Sequence, residues 1–381
     1  MGMRKVAVVT PGSFVIPSGR SSSVERVVEQ TIPLAREAVE VRIFGVLGQG
    51  LPPKGVINGV PCYRLPAGAA YYPSLLRRLR QWRPDVVEVH NRPVIAQRLK
   101  LHLPDIKMVL NLHSNTFIRP PYMSRERFGS IARWVDAIVV NSRFLYEDIT
   151  SRHPELADKI TINHLGASLE HFTPPFSPAA KALQEARLED MGWKGRRIVL
   201  FAGRLIPDKG VHHLIEALPR IIEQHPEVLL LIIGSAAYSS DRETAYVREL
   251  KASAEPYQNW IAFRPFIPYP AIADWYALAD VVVVPSSARE AFGLVNVEAM
   301  ATGVPVIAAE SGGIPEIVEH GVNGFLVPGE NLPSGLADYI NRLLDDEDLR
   351  QRIGMAAHES VRQRFRWDHT AERWVSLMQR I

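Results

Sequence analysis

"VVVVPSSAREAFGLVNVEAMATGVPVIAAE" spans residues 281–310. Four consecutive valines end at Pro285, and a second apolar run resumes at Pro305. Strands so uniformly apolar are covered on both faces, as in parallel sheets flanked by helices. Ser286 to Ala291 reads as a loop, followed by a helix from about Gly293. Gly303 fits the position just past a helix C-terminus, where glycine accepts the left-handed conformation.

The same alternation runs through the chain. In the first half, candidate strands are 5–10, 39–47, 85–90, 107–113, 137–142 and 159–165. In the second half they are 197–203, 228–235, 260–263, 281–286, 305–310 and 324–329. The expected class is α/β: two doubly wound Rossmann-like domains facing a cleft. Residues 1–170 would form the first and 196–360 the second, with a proline-rich linker over 171–195. Residues 361–381 would end in a helix crossing back onto the first domain, since Trp374, Val375 and Met378 need a surface to pack on.

A chain of 381 residues can bury substantial cores, and 46% apolar with 22% charged residues is ordinary for a soluble globular protein. A net charge of +3 makes no case for nucleic acid. The lone Cys62 cannot form an internal disulfide, and no Cys/His set has zinc spacing, so no metal is expected. The first apolar run is too short for a signal peptide, and the longest runs are far short of a membrane span. The expectation is a cytoplasmic protein. The basic stretches 75–83 and 117–128 leave peripheral membrane contact open beside a plain solvated face.

In doubly wound sheets, ligands bind beyond the carboxyl ends of the strands. Arg204 and Lys209 follow the strand ending at Gly203, just before a helix. Two cations and a helix N-terminus suit a diphosphate, and glycine allows close approach; solvation, with Asp208 pairing one cation, is the alternative. The amides of Phe292, Gly293 and Leu294 open the next helix and can take phosphate oxygens. Glu290 is either a helix-dipole acid or a ligand group. Glu298 is either an exposed helix residue or a partner for a vicinal diol such as ribose. Gly312 and Gly313 precede a further helix start. In the first half, the loop around Gly19 is neither G-x-G-x-x-G nor a P-loop, and His113 ends an apolar strand. Asn91 and Arg92 end another.

Together, "AGRLIPDKG" (202–210), "EAFGLVNVEAMATGVPVIA" (290–308) and "GGIPEIV" (312–318) resemble glycosyltransferase family 4, the large retaining group with the GT-B fold. The resemblance covers nearly the whole chain and is strongest over 197–328; the first half is similar to spore-coat-associated members. It implies that Arg204 and Lys209 neutralise a donor diphosphate and that Glu298 binds ribose. Glu290, with the backbone at Phe292 and Gly293, would hold the sugar and the adjoining phosphate. His113 would contact the sugar, Gly312 and Gly313 would line its pocket, and the Gly19 loop would serve the phosphate or the acceptor. The main chain near Phe266 would hold the base, although Pro265 stands where the family often has glycine. The first loop also departs from the family, with one glycine and then serines where a glycine pair is common.

The implied function is metal-independent, retaining transfer from a nucleoside diphosphate sugar, UDP-sugar favoured, with no cofactor. Acceptor and oligomeric state are not readable. A sugar-nucleotide epimerase and a non-catalytic spore-coat or scaffold protein are the competing readings.

Overall fold

The computed structural model describes residues 2–19, 23–172, 174, 176–237, 243–286 and 290–381. The chain divides into two units, Met1–Leu165 with Trp367–Ile381, and Gly166–Arg366.

The first unit holds an eight-stranded sheet in the order β3-β4-β2-β1-β5-β6-β7-β8. These strands are β1 (Lys5–Val9), β2 (Glu40–Val46), β3 (Lys54–Ile57), β4 (Val60–Leu65), β5 (Val86–His90), β6 (Lys107–Leu112), β7 (Ala137–Val140) and β8 (Ile160–Ile162). All pairings are parallel except β3 with β4. That edge hairpin is absent from the sequence reading. Its two-residue turn is Asn58-Gly59, both at positive φ, which is the turn chemistry a tight hairpin demands.

The helix Trp367–Arg380 belongs to this unit. Trp374, Leu377 and Met378 are buried against Val6, Val28, Ile43 and Val109, with Val375 packed at the margin. Burial of each large apolar side chain contributes about 1.5–3 kcal/mol.

The second unit holds a parallel six-stranded sheet, β11-β10-β9-β12-β13-β14. Its strands are β9 (Arg197–Ala202), β10 (Val228–Ile233), β11 (Ile261–Arg264), β12 (Val281–Val284), β13 (Val306–Ala309) and β14 (Phe325–Val327). The order reverses between β9 and β12, the switch point beyond whose carboxyl ends such sheets bind ligands.

Residues 171–195, read from sequence as a linker, fall within the second unit, which begins at Gly166. Pro174 and Phe176 lie where a Cβ on Gly303 would fall, at 3.0 and 2.4 Å. The helix Pro178–Asp190 is tied down by Gln184 Nε2 to Leu278 O (3.2 Å) and by Arg187 to Asp274 (3.0 Å). Prolines there stop a strand ladder without preventing packing. No helix among the described residues is long and apolar enough to cross a membrane.

Candidate active site

The loops after β9 and β12 meet at the strand-order reversal. Gly210 has φ +70, and a Cβ there would stand 2.0 Å from Pro285 O, so only glycine lets these turns close on each other. Lys209, one residue earlier, donates from Nζ to Glu290 Oε2. Both side chains are only partly exposed, 25% and 18%. Asp208 is exposed, and no ion pair joins it to Arg204 or Lys209 among the described residues. Arg204 is half-buried beside them in sequence.

Gly293 caps the helix Leu294–Ala301 in the left-handed conformation, with φ +92. The first amides of that helix have no carbonyl partner within it and carry its positive dipole end. The helix ends in a Schellman turn: Val304 N donates to Ala299 O (3.2 Å) and Gly303 N to Met300 O (2.9 Å). Leu294 and Phe292 are buried, and the Phe292 ring meets Phe365 edge-on at 6.1 Å. Phe292 therefore anchors the loop by its side chain and can offer only its main chain to a ligand.

Glu298 is 5% exposed, which removes the reading as an exposed helix residue. Tyr276 Oη donates to its Oε2 at 3.2 Å. A buried carboxylate is costly unless bonded, so this arrangement holds an oriented acceptor.

Gly312 and Gly313 follow β13 and pack onto the Glu290 backbone. Gly313 N donates to Glu290 O (2.8 Å), and a Cβ on Gly312 (φ +58) would stand 2.0 Å from that same oxygen. The pair positions Glu290. Gly203 also lies against another glycine. The close approach there is by Gly234, whose Cβ would fall 1.8 Å from Gly203 O. Phe266 lies half-buried just beyond β11.

In the first unit, Gly19 sits in an exposed turn after β1, with nothing within 4 Å of an added Cβ. Its neighbour Ser18 donates from N and from Oγ to the Glu29 carboxylate, the latter at 2.9 Å. Residues 20–22 of that loop lie outside the described residues. Arg92 lies over the Phe117 ring at 4.4 Å and donates to Ser13 Oγ.

His113 follows β6. Its Nε2 lies 2.8 Å from His90 Nδ1, and His90 Nε2 lies 3.2 Å from Glu88 Oε2. Glu88 is fully buried and also accepts from Asn111 Nδ2 (2.9 Å) and Trp374 Nε1 (2.8 Å). Burial pushes the Glu88 carboxyl up, but His90 and the bonds from Asn111 and Trp374 outweigh it and hold it below the usual range. Burial, then repulsion from His90, holds His113 well below its ordinary value. An adjoining cavity of about 20 Å³ is lined by Glu88, His90, Asn141 and Trp374 among others. That admits a water molecule, not a sugar nucleotide.

Sequence reasoning passed over Glu88, His90, Tyr276 and Gly234. Polar residues alternating along the apolar strand "VVEVH" were the available sign for the first two.

The sequence model described as "Glycosyl transferases group 1" matches residues 185–360, and that described as "Glycosyltransferase Family 4" matches residues 24–171. D-inositol 3-phosphate glycosyltransferase of Corynebacterium urealyticum is 30% identical over 93% of this chain and 85% of its own length. Spore coat protein SA of Bacillus subtilis is 30% identical over 99% of each. Among solved structures, Anabaena Alr3699/HepE in complex with UDP-glucose covers 100% of both chains with TM-score 0.79 and 22% identity. The two α/β units, the loop set at the β9/β12 reversal and these matches agree: the chain belongs to family 4 of the glycosyltransferases, as a GT-B enzyme of the hexosyltransferase type.

Proposed function

We propose that the chain transfers a hexose from a nucleoside diphosphate sugar, UDP-sugar favoured, to an acceptor hydroxyl with retention of anomeric configuration and without a metal. The observation that carries this reading is the closure of the Lys209 and Glu290 loops over the amino end of the helix Leu294–Ala301. The UDP-glucose complex of the Anabaena protein supports the choice of donor.

As the bond between the anomeric carbon and the phosphate oxygen breaks, negative charge collects on the leaving diphosphate. Arg204, Lys209 and the helix amino end stabilise that charge. Lys209 exchanges Glu290 for phosphate, and the released Glu290 carboxylate takes sugar hydroxyls. Glu298, oriented by Tyr276, takes the ribose diol. The acceptor oxygen attacks the face the phosphate leaves, and its proton passes to the departing phosphate oxygen.

The test is a thermal-shift comparison of UDP, GDP, ADP and their sugars, followed by NMR of the product's anomeric centre. A product of inverted configuration overturns the retaining reading. A changed donor sugar with no acceptor present favours an epimerase instead.

A further inference from the structure

The first sheet has its own order reversal, at β1, which lies between β2 and β5. Doubly wound sheets bind ligands beyond the carboxyl ends of the strands at such a point. The residues carried there are Ser13, in the turn past β1, and Asn91 and Arg92, directly past β5. Asn91 has φ +51, a left-handed conformation uncommon outside glycine. Its N donates to Asn111 O (2.8 Å), and its Oδ1 accepts from His113 N (2.8 Å). These bonds fix the backbone from which Arg92 departs.

Arg92 is half-buried, and no carboxylate forms an ion pair with it among the described residues. Its Nη1 donates to Asn91 O (3.1 Å) and its Nη2 to Ser13 Oγ. The Phe117 ring backs the guanidinium at 4.4 Å, and Tyr122 lies against Phe117 at 5.3 Å. A guanidinium has five N–H donors, so Nε–H and one N–H on each Nη are left over. The Ser13 hydroxyl accepts from Arg92, keeps its own proton to donate, and is exposed. Burial pulls the Arg92 pKa down, and the attraction of the buried Glu25, on the helix Ser23–Thr31, does not make up the difference.

Arg119, two residues beyond Phe117, makes the contrast. Its Nε donates to Asp148 Oδ2 (3.2 Å), and the buried Asp148 also accepts from Arg152 Nη2 (3.0 Å). That guanidinium holds its loop. Arg92 has a fixed position and no such partner. A partly desolvated cation is costly without a counter-ion, and an oxyanion that takes the open fork in a bidentate pair removes that cost.

We propose that Arg92 and Ser13 form an oxyanion site that takes a phosphate or carboxylate group of the acceptor. This rests on the reading of the chain as a sugar transferase. On that reading the donor diphosphate has its cations, Arg204 and Lys209, at the switch point of the second sheet. The switch point of the first sheet is left for the other substrate.

Inorganic phosphate and acetate are the first probes. Arginine Nε–H spectra of the full chain, labelled with nitrogen-15 and assigned with Arg92→Lys and Arg92→Gln, should show the Arg92 signal shift saturably with either anion. Chloride at the same ionic strength should not move it. Arg77, exposed on the helix Tyr71–Trp82, is the reference for loose ion pairing. An Arg92 response no larger than that of Arg77 overturns the proposal. Phosphate should still reach Arg92 with UDP saturating; competitive displacement by UDP gives the residue to the donor and overturns the proposal.

A cell extract then serves as the acceptor source. The fraction that stimulates UDP release from UDP-glucose should be retained by an anion exchanger, and Arg92→Gln should lower that stimulation about tenfold or more. Loss of stimulation after phosphatase treatment assigns a phosphate, and its survival a carboxylate. A stimulating fraction that is neutral overturns the proposal. If UDP-glucose binds and neither anion moves Arg92, the oxyanion site fails and the proposed function stands. If the anions bind at Arg92 and no sugar nucleotide binds the chain, the proposed function fails, and the acceptor's role with it.

Discussion

Lys209 Nζ donates to Glu290 Oε2, joining two loops that lie 81 positions apart in the chain. The pair is partly buried, and each member neutralises the other. Glu290→Gln should therefore separate two effects. Freeing Lys209 should tighten binding of UDP alone, by about threefold to tenfold. Removing the carboxylate should slow transfer from UDP-sugar. Calorimetry with UDP, set beside steady-state rates, checks the opposite signs. Weaker UDP binding would mean that Glu290 organises Lys209 and does not merely compete for it.

On the proposed function, Arg204→Ala and Lys209→Ala would each remove a cation from the developing diphosphate charge. Contacts realised in the transition state are worth about 3–4 kcal/mol, so turnover should fall on the order of a hundredfold or more. Full activity in both variants would end the diphosphate assignment.

If Glu298 holds the ribose as proposed, Glu298→Ala should raise the KM for donor more than it lowers kcat, because such a contact is made equally in the ground and transition states. Tyr276→Phe keeps the carboxylate but removes its 3.2 Å bond, and should show a weaker form of the same effect. An unchanged KM in Glu298→Ala would place the ribose elsewhere.

The second unit was readable because its strands are apolar on both faces and carry their loops at one end. β9, β12 and β13 stand out in the sequence for that reason, and the residues after them are the ones the fold gathers. The hairpin at 54–65 escaped because an edge pair mixes exposed and buried residues and shows no apolar run, although Asn58-Gly59 was in view. Glu88 escaped for another reason. Its strand is plain, but its partners Asn111 and Trp374 come from 23 and 286 positions away. No local pattern reports such bonds. Gly312 read as a pocket-lining glycine, and only the fold shows it against the Glu290 backbone.

Gly312→Ala tests that packing. At φ +58 an alanine is already strained, and its Cβ would fall 2.0 Å from Glu290 O and 2.7 Å from Glu290 N. The backbone carrying Glu290 must move, at a cost of about 1–3 kcal/mol. Donor affinity should fall along with the unfolding midpoint. Gly329→Ala, with nothing within 4 Å of the added carbon, should change neither and serves as the control. If Gly312→Ala loses stability and keeps donor affinity, Glu290 does not depend on this glycine for its place.

Acid should weaken the folded state through His113, and the sign follows from its depressed pKa. Burial, then repulsion from His90, holds the folded ring well below the ordinary value of 6.5. As pH falls through 6.5, the unfolded chain takes up a proton that the folded ring refuses. Stability is then full above 6.5 and declines with falling pH, with a limiting slope of about 1.4 kcal/mol per pH unit for one proton. Glu88 acts in the same direction but lower. Its folded pKa lies below the ordinary 4.5, so its contribution is present above 4.5 and lost as pH falls through the folded value. Between pH 6.5 and 5 the His113 effect is therefore separable from that of Glu88. Urea midpoints across that interval should fall less steeply in His113→Asn than in the unsubstituted protein. Equal slopes would mean that the folded ring accepts its proton as readily as the unfolded one.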